Sequence, residues 1–374
     1  MTPSSVPPRG KPRRTGRTVL HGVVLVSLLA TSGYLTVRLK DKEAHAQLPD
    51  LARSSRPVAV GAPSAARPAA GVVTYSRLQN PARTVVRDTD GAVAATFTDG
   101  ARTAVLTGPS RTFAEPRTTA AKVVTDNWVR LLPQAWSKGA ERSSWFRTWF
   151  ARYRGSTADD LFAVAFQYGD GARPAKDSDG LRYRGDADFG PISDNIRYDL
   201  RLEQSDFYDY LGEAFQFRNG TVEYPEPAKI HSLDCSGFVR MVFGYRSGYH
   251  LKPTDDASGT GLPRTAYGIG ASHSGVDILP LRRTGSTLPL EMYARATDLD
   301  KLQPGDLLFW KLDRRTGARL DHTGIYLGLD TDGHPRFLSS RKEANGPTMG
   351  DVGGAARLDG DGMYAKYLTN AKRL

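Results

Sequence analysis

The chain has one cysteine, Cys235, in 374 residues, and this feature most limits how it folds. A single thiol excludes an intramolecular disulfide framework and a zinc site built from several thiolates, so stability has to come from a hydrophobic core. The composition, 39% hydrophobic and 24% charged, is typical of a globular protein and excludes disorder along the whole chain. The length suggests two domains with additional segments.

Positive charge is concentrated at the start of the chain. Residues 1–46 carry eight Lys or Arg and two acidic residues, so +6 of the net charge of +11 lies there and +5 remains for residues 47–374. An excess of five positive charges over residues 47–374 is too weak to indicate a nucleic-acid partner. The seven histidines include no His-Glu-x-x-His motif, which argues against a zincin-type metalloprotease, and we expect no metal or organic cofactor.

Residues 1–46 predict a basic N-terminus followed by a membrane anchor or a signal peptide. Basic side chains precede an uncharged apolar stretch of nineteen residues, Val19 to Val37. At about 1.5 Å per residue, such a helix nearly matches a hydrocarbon core about 30 Å thick, with its basic flank in the cytoplasm. The apolar centre, 22–30, is also of signal-peptide length, and small residues follow at 30–32 and 44–46. Both alternatives place the rest of the chain outside the cytoplasm. A third interpretation is that this stretch is a buried helix of a soluble protein.

Three further segments follow. Residues 47–72 predict a linker, because Pro, Ala, Ser, Gly and Arg dominate there without helical or strand periodicity. Residues 73–190 predict a β-rich accessory domain with helices. The segments that suggest chemistry come later, so residues 195–374 are expected to form the catalytic domain.

The accessory segment predicts a β-meander and a helix. Its short β-prone runs are separated by Asp-Gly turns at 90–91 and 99–100, which are strong hairpin signals. Apolar residues at helical spacing from Ala121 to Leu131 predict a helix that ends before Pro133. The aromatic cluster at 145–150 indicates core packing rather than a stripe that stacks on sugars.

Cys235 lies where the sequence predicts the first turn of a helix. Asp234 is a good N-cap, and the apolar residues that follow, between Phe238 and Phe243, lie on one side of a helix. The amide groups and the positive end of the dipole at a helix start favour a thiolate over a thiol. An inert buried thiol is the alternative, but this placement of the chain's one cysteine favours a nucleophile.

A nucleophilic cysteine needs a base from elsewhere in the chain. Leu307 to Trp310 predicts a buried strand after a turn, and His322 stands at the start of a second strand that runs to Gly328. A histidine at a strand end is more often a surface residue than a catalyst, so this pattern alone assigns no role.

Three segments resemble those of the NlpC/P60 peptidases and occur in the family's order: Asp-Cys-Ser-Gly-Phe-Val at 234–239, Pro-Gly-Asp-Leu-Leu-Phe at 304–309 and His-Thr-Gly-Ile-Tyr-Leu-Gly at 322–328. The resemblance covers residues 195–374. It implies an α+β fold of the reduced papain-like type, in which the helix that carries the cysteine packs against an antiparallel sheet. It also implies a cysteine endopeptidase that cuts peptidoglycan stem peptides, commonly after a γ-linked D-glutamate.

The resemblance also implies roles for individual residues. Cys235 matches the nucleophile and His322 the base, while Asp234 and Ser236 match positions that help to hold the amino end of the substrate. The third polar residue, which orients the base, falls at Ser339. A serine accepts weakly from an imidazole N–H.

Two positions depart from the family pattern. Ser339 stands where the family usually has His, Asn or Gln. Ser340 would take its place only after a shift of one residue, which points it to the opposite face of the strand. Phe215 stands where the family usually has a tyrosine, which affects anchoring of the substrate more than cleavage of the bond.

The sequence therefore predicts an extracytoplasmic, cell-wall-associated hydrolase, anchored in the membrane through its N-terminal helix or secreted, with peptidoglycan as its partner. Two alternatives stay open. One is a catalytically weak or inactive protein that binds or scaffolds the cell wall. The other is a thiol acyltransferase or amidase that acts on another substrate. No sequence feature identifies a protein activator or an oligomeric state.

Overall fold

The computed structural model describes residues 71–195, 200–285 and 287–374. They lie in one compact unit, which spans 54–374. The predicted N-terminal segment, 1–46, and nearly all of the predicted linker lie outside the described residues. Within the described part of the chain, no helix is both long enough and apolar enough to cross a membrane.

A five-stranded antiparallel sheet comes first, and each of its strands pairs with the next one along the chain. The strands are β1 (Thr74–Leu78), β2 (Arg83–Arg87), β3 (Val93–Thr98), β4 (Thr103–Ala114) and β5 (Lys122–Leu131). Gly91 and Gly100 occupy the turns on either side of β3 with φ of 81° and 84°, a left-handed conformation that glycine adopts without strain. The predicted meander is confirmed.

The helix predicted for residues 121–131 is absent, and that prediction was wrong. These residues form β5, which pairs with β4 in antiparallel register. Val123 and Thr125 are buried whereas Val124 between them is exposed, so burial follows the two-residue period of a strand. The apolar residues of this segment match helical spacing only if Val124 is counted among them, and Val124 faces solvent.

Helices α1 (Ser144–Tyr153) and α2 (Leu161–Ala165) follow this sheet. An aromatic cluster fills the space between the sheet and α1. Phe97 of β3 stacks on Trp136 with ring centroids 4.5 Å apart, and Phe146 meets both rings edge-on at 5.2 and 4.8 Å. Trp149 and Phe150 are buried as well. The predicted aromatic residues therefore form core, as expected.

Three short hairpins lead to the second main sheet. Their strands are β6 (Ala175–Lys176), β7 (Arg182–Arg184), β8 (Ile192–Asn195), β9 (Leu200–Glu203), β10 (Phe215–Gln216) and β11 (Val222–Glu223). The second main sheet contains β12 (Val276–Leu279), β13 (Leu307–Trp310), β14 (His322–Leu329), β15 (Pro335–Arg341), β16 (Gly346–Thr348) and β17 (Leu368–Arg373). Its six strands are antiparallel in the order β12-β17-β13-β14-β15-β16. The two strands predicted around the histidine, β13 and β14, are neighbours in it.

The cysteine helix packs against this sheet. The helices of this part are α3 (Phe207–Leu211), α4 (Cys235–Val239), α5 (Ala266–Ala271) and α6 (Met363–Lys366), and α4 continues as a π-helical segment, Arg240–Tyr245. Phe238 and Val242 share one buried cluster with Ile325 of β14 and Leu338 of β15. Mixed helices and antiparallel sheets agree with the expected α+β class.

Buried polar contacts connect the two main sheets. The backbone N–H of Arg102 donates to the carbonyl oxygen of Leu374 at 2.7 Å. The Arg373 guanidinium binds the Asp306 carboxylate at 2.7 and 2.8 Å and donates to the Thr98 hydroxyl at 2.7 Å. The last strand, β17, therefore contacts both the neighbouring strand β13 and the end of β3.

Candidate active site

Cys235 occupies the first position of α4, and the residues around it explain why the helix begins there. The Asp234 carboxylate accepts a hydrogen bond from the backbone N–H of Gly237 at 2.6 Å, which satisfies one of the amides that lack a partner at a helix start. Position 237 requires glycine because a Cβ there would collide with the carbonyl oxygen of Ser205. Cys235 is 3% exposed.

The cysteine thiol reaches the turn that leads into β14. Cys235 Sγ lies 3.9 Å from the carbonyl oxygen of Asp321, the residue immediately before His322. Asp321 is held firmly: its carboxylate accepts from Lys311 Nζ at 2.8 Å and from the backbone N–H of Leu312 at 2.7 Å. The start of α4 and the start of β14 therefore meet at the thiol.

His322 is buried, and its ring lies against Trp310 and Tyr364, with centroids 5.4 and 5.6 Å away. Its Nε2 lies 3.1 Å from the hydroxyl oxygen of Ser339 on the neighbouring strand. Ser340 makes no such contact, because its hydroxyl donates to the carbonyl oxygen of Leu233 at 2.6 Å. The structure thus brings His322 together with Ser339, not with Ser340.

The contact with Ser339 bears on which nitrogen serves as a base. When Nε2 carries the hydrogen, it donates to the Ser339 hydroxyl, and Nδ1 keeps its lone pair. Neutral imidazole in that tautomer accepts a proton at Nδ1. The contact is thus compatible with the tautomer that a general base requires, although the serine hydroxyl is able to donate as well as accept.

Burial and, as the smaller cause, the positive charge of the nearby Arg341 guanidinium together lower the pKa of His322 to about 3. Arg341 is itself buried and donates to the carbonyl oxygens of Gly350 and Gly354 at 2.6 and 2.5 Å. With such a pKa, His322 is neutral at physiological pH in the free protein. A neutral imidazole is the form that accepts a proton from a thiol.

Cys235 and His322 line the same cavity, whose volume is about 600 Å³. Asp234, Ser236, Arg341 and Tyr364 contribute to its wall. So does Phe189, which lies before the expected start of the catalytic domain. In the described ranges, no cluster of three or more His, Cys, Asp or Glu side chains is placed to hold a metal ion.

Residues 212–357 match the family model described as the NlpC/P60 family. The chain contains an NlpC/P60 domain. The resemblance inferred from the three sequence segments is therefore confirmed, and the matched range includes the cysteine, the histidine and the serine described above. NlpC/P60 proteins are commonly cysteine peptidases that act on the cell wall. Neither the curated proteins nor the solved structures gave a match to this chain.

Two side chains expected to hold substrate lie at the cavity of the NlpC/P60 domain, but they also bind a residue that the sequence did not indicate. Arg264 Nη2 donates to Asp234 Oδ2 at 2.7 Å, and Arg264 Nη1 donates to Ser236 Oγ at 3.0 Å. Arg264 lies thirty positions from Asp234 in sequence, in a segment with no motif, so no local signal pointed to it.

Other residues near the NlpC/P60 site were missed for the same reason. Arg341 and Tyr364 come from β15 and α6, and only the fold brings them next to His322. Phe215, which replaces the family's usual tyrosine, packs edge-on against Phe207 with ring centroids 4.8 Å apart. It does not line the cavity.

Proposed function

We propose that this protein is a cell-wall hydrolase that cleaves amide bonds of peptidoglycan stem peptides, with Cys235 as nucleophile and His322 as base. The bond cleaved is the γ-D-glutamyl linkage, as the family resemblance implies. One observation carries the proposal: the thiol at the start of α4 and the imidazole at the start of β14 share a cavity, with Sγ close to the residue that precedes the histidine.

The reaction follows from these positions. His322 Nδ1 takes the thiol proton as Cys235 Sγ attacks the carbonyl carbon of the scissile amide. The positive end of the helix dipole stabilises the oxyanion. His322 then returns the proton to the departing amine as the C–N bond breaks and a thioester remains. Water, deprotonated by His322, hydrolyses the thioester and restores the thiol.

The low pKa of His322 favours a resting state in which thiol and imidazole are both neutral. A thiolate next to the ring would raise the affinity of His322 for a proton, because the two groups titrate as a pair. Proton transfer therefore accompanies nucleophilic attack in this mechanism. Ser339 acts as a positioning residue that holds the ring through Nε2.

The substrate implies a location outside the cytoplasm. We propose that residues 1–46 bring the body across the membrane, either as an uncleaved anchor or as a signal peptide. Fractionation of cells that express the full chain, followed by protease treatment of intact cells, tests this. Intact, protected protein in the cytosol would contradict the topology, whereas protein in the medium with a new N-terminus after 32 or 46 would identify a signal peptide.

The activity is tested with purified muropeptides and product analysis by mass spectrometry. Cys235→Ala and Cys235→Ser are expected to abolish hydrolysis while the far-UV circular dichroism stays native. His322→Ala is expected to lose nearly as much activity, since nucleophile and base act as one unit. Turnover by Cys235→Ala at the wild-type rate would overturn the mechanism.

One observation favours a second candidate, a catalytically weak or inactive protein that binds the cell wall. The residue that orients the base is a serine, which holds an imidazole by a short side chain and one weak hydrogen bond. In that case the wild-type protein would bind insoluble peptidoglycan, and Cys235→Ala would bind it equally well, but neither would release peptides. Products that indicate acyl transfer would instead support a thiol acyltransferase.

A further inference from the structure

Arg341 is a buried cation without a carboxylate partner. It is 1% exposed, and it lines the cavity that contains Cys235 and His322. Its two terminal nitrogens donate to the backbone carbonyl oxygens of Gly350 and Gly354, while its Nε is buried and has no hydrogen-bond partner. No carboxylate of the described residues forms an ion pair with it. Because a buried charge without a counter-ion is costly, this one indicates that negative charge appears in the cavity during function.

Tyr364 of α6 lies at the same cavity. Its side chain is buried, and its ring centroid is 5.6 Å from that of His322. Trp310 Nε1 donates to the backbone carbonyl oxygen of Tyr364 at 2.7 Å, and the ring of Phe337 packs edge-on against it at 5.0 Å. These contacts fix the ring before a substrate binds. Tyr364 lies outside the range that matches the family model, 212–357, so the match gives it no role.

Arg341 and Tyr364 interact with each other. The guanidinium lies 5.3 Å from the centroid of the Tyr364 ring. Burial raises the pKa of Tyr364, whereas the charge of Arg341 and a hydrogen bond with it lower this pKa; the charges of Glu343 and Cys235 raise it by smaller amounts. The net pKa is raised, so the hydroxyl is protonated at neutral pH. A guanidinium only donates, so the Tyr364 oxygen accepts in that hydrogen bond. The hydroxyl keeps its own hydrogen for another acceptor.

We propose that the Tyr364 hydroxyl, polarised by Arg341, donates a hydrogen bond to the oxyanion that forms when Cys235 attacks a carbonyl group. This inference rests on the proposed function. As the Sγ–C bond forms, the π electron pair of the C=O bond moves to the oxygen, and it returns when the leaving group departs, so Tyr364 keeps its proton throughout. The oxyanion is bonded to the carbon that Sγ attacks, in the cavity that Tyr364 also lines.

The guanidinium strengthens this interaction in two ways. It makes the hydroxyl a stronger donor, because its positive charge draws electron density from the phenol oxygen. It also supplies, in a buried site, a charge opposite to that of the oxyanion, without reorganisation during the reaction. Tyr364 is thereby a catalytic residue, and Arg341 acts through it.

Two small reagents that react with the same thiol test this proposal. p-Nitrophenyl acetate acylates a thiol through a tetrahedral oxyanion and releases p-nitrophenolate, whereas iodoacetamide alkylates it at a CH₂ group, loses iodide and forms no oxyanion. Cys235 is the only cysteine, and Cys235→Ala gives the background of both reactions. The ratio of acylation to alkylation rates therefore cancels any change in the reactivity of the thiol. In the full-length protein, Tyr364→Phe is expected to lower this ratio at least about fivefold, since loss of one oxyanion donor costs about 10²–10³ in rate in a well-studied case.

Tyr367→Phe is the matched control, because Tyr367 directly follows α6 but does not line the cavity. Its ratio should equal that of the wild-type protein. Arg341→Met is expected to lower the ratio at least about threefold, and Arg341→Lys, which keeps the charge, to retain most of it. A smaller reduction in Tyr364→Phe with native far-UV circular dichroism overturns the proposal, since a purely structural role slows both reactions alike. If Tyr364→Phe does not fold, the ratio in Arg341→Met decides in the same way.

The role of Tyr364 is separable from the hydrolase function. With muropeptides, Tyr364→Phe is expected to lower kcat at least about fivefold at unchanged KM, because the hydrogen bond gains its strength in the transition state. If the wild-type protein cleaves no muropeptide, the hydrolase function fails, while the ratio of the two reagent rates still decides the role of Tyr364. Alkylation of wild-type Cys235 without any acylation by p-nitrophenyl acetate overturns the proposal.

Discussion

At the scale of single residues, the proposed role of Ser339 can be tested by comparison with its neighbour, Ser340. The Ser339 hydroxyl contacts His322 Nε2 at 3.1 Å, whereas the Ser340 hydroxyl bonds a backbone carbonyl on the other side of the strand. One neutral hydrogen bond contributes about 0.5–1.5 kcal/mol. Ser339→Ala is therefore expected to lower kcat/KM about two- to tenfold, far less than His322→Ala.

Ser340→Ala serves as the control for this prediction. It removes a buried hydrogen bond to Leu233 and is expected to lower the free energy of unfolding by about 1 kcal/mol while kcat/KM changes less than about twofold. If Ser340→Ala reduced kcat/KM as much as Ser339→Ala, the loss would reflect damage to β15 and not the orientation of the imidazole.

The low pKa of His322 also predicts how stability depends on pH. In the folded protein this pKa is about 3, whereas an unfolded histidine has about 6.5. Between these values the unfolded chain binds one more proton, so the free energy of unfolding falls on acidification, by up to about 1.4 kcal/mol per pH unit from this group.

Urea unfolding measured between pH 6.5 and 4 checks this. His322→Gln is expected to show a smaller dependence on pH than the wild-type protein, and His273→Gln, which changes an exposed histidine, is expected to match the wild type. Arg341→Met removes the smaller of the two causes that lower the pKa of His322, so this pKa should rise. The loss of stability that His322 causes on acidification should then stop at a higher pH than in the wild-type protein. Equal slopes for the wild type and His322→Gln would contradict the buried, neutral state of the ring.

At the scale of elements, β17 depends on a buried ion pair. Arg373 binds Asp306, and both side chains are almost fully buried. Arg373→Met leaves the Asp306 carboxylate without its counter-charge, so the free energy of unfolding is expected to fall by about 3–5 kcal/mol. Lys301→Met breaks an exposed pair with Asp298 and is expected to cost at most about 1 kcal/mol. A loss below 1 kcal/mol for Arg373→Met in urea unfolding would contradict the structure.

Elements whose signals are local were predictable from the sequence. The Asp-Gly turns identified the strands on either side of them, and the cap at Asp234 identified the start of α4, because backbone conformation and capping depend on neighbouring residues. The strand β5 was misassigned because its pairing with β4, which decides its conformation, is a contact between distant segments. A local pattern does not contain that information.

The residues of the candidate site also form two groups, those that the local sequence predicted and those that it did not. The positions of Cys235, His322 and Ser339 followed from short segments and their resemblance to a family. Arg264 and Arg341 did not, because each acts on a residue that lies far away in sequence and close only after folding. The charges that set the properties of a carboxylate or an imidazole in a buried site therefore require the fold.

At the scale of the whole molecule, the first sheet does not stand apart from the NlpC/P60 domain. Thr98 at the end of β3 and Arg102 just before β4 form hydrogen bonds with Arg373 and Leu374, and Glu115 accepts from the backbone N–H of Met349 at 3.0 Å. These contacts are buried or half-buried, and they join segments more than two hundred residues apart in sequence. Unfolding of either sheet would expose these contacts to solvent. The stability of each sheet therefore depends on the other.

The protein is therefore expected to unfold in one cooperative transition, and its tryptophans allow a direct test. Four of the five tryptophans lie between positions 128 and 149, next to the first sheet, and the fifth is Trp310 in the second. In Trp310→Phe, fluorescence reports on the first sheet alone, while the rate at which a thiol reagent labels buried Cys235 reports on the second. Because the two parts share buried contacts, both signals should change at the same urea concentration. A fluorescence change that precedes thiol labelling would instead show that the first sheet unfolds as a separate domain.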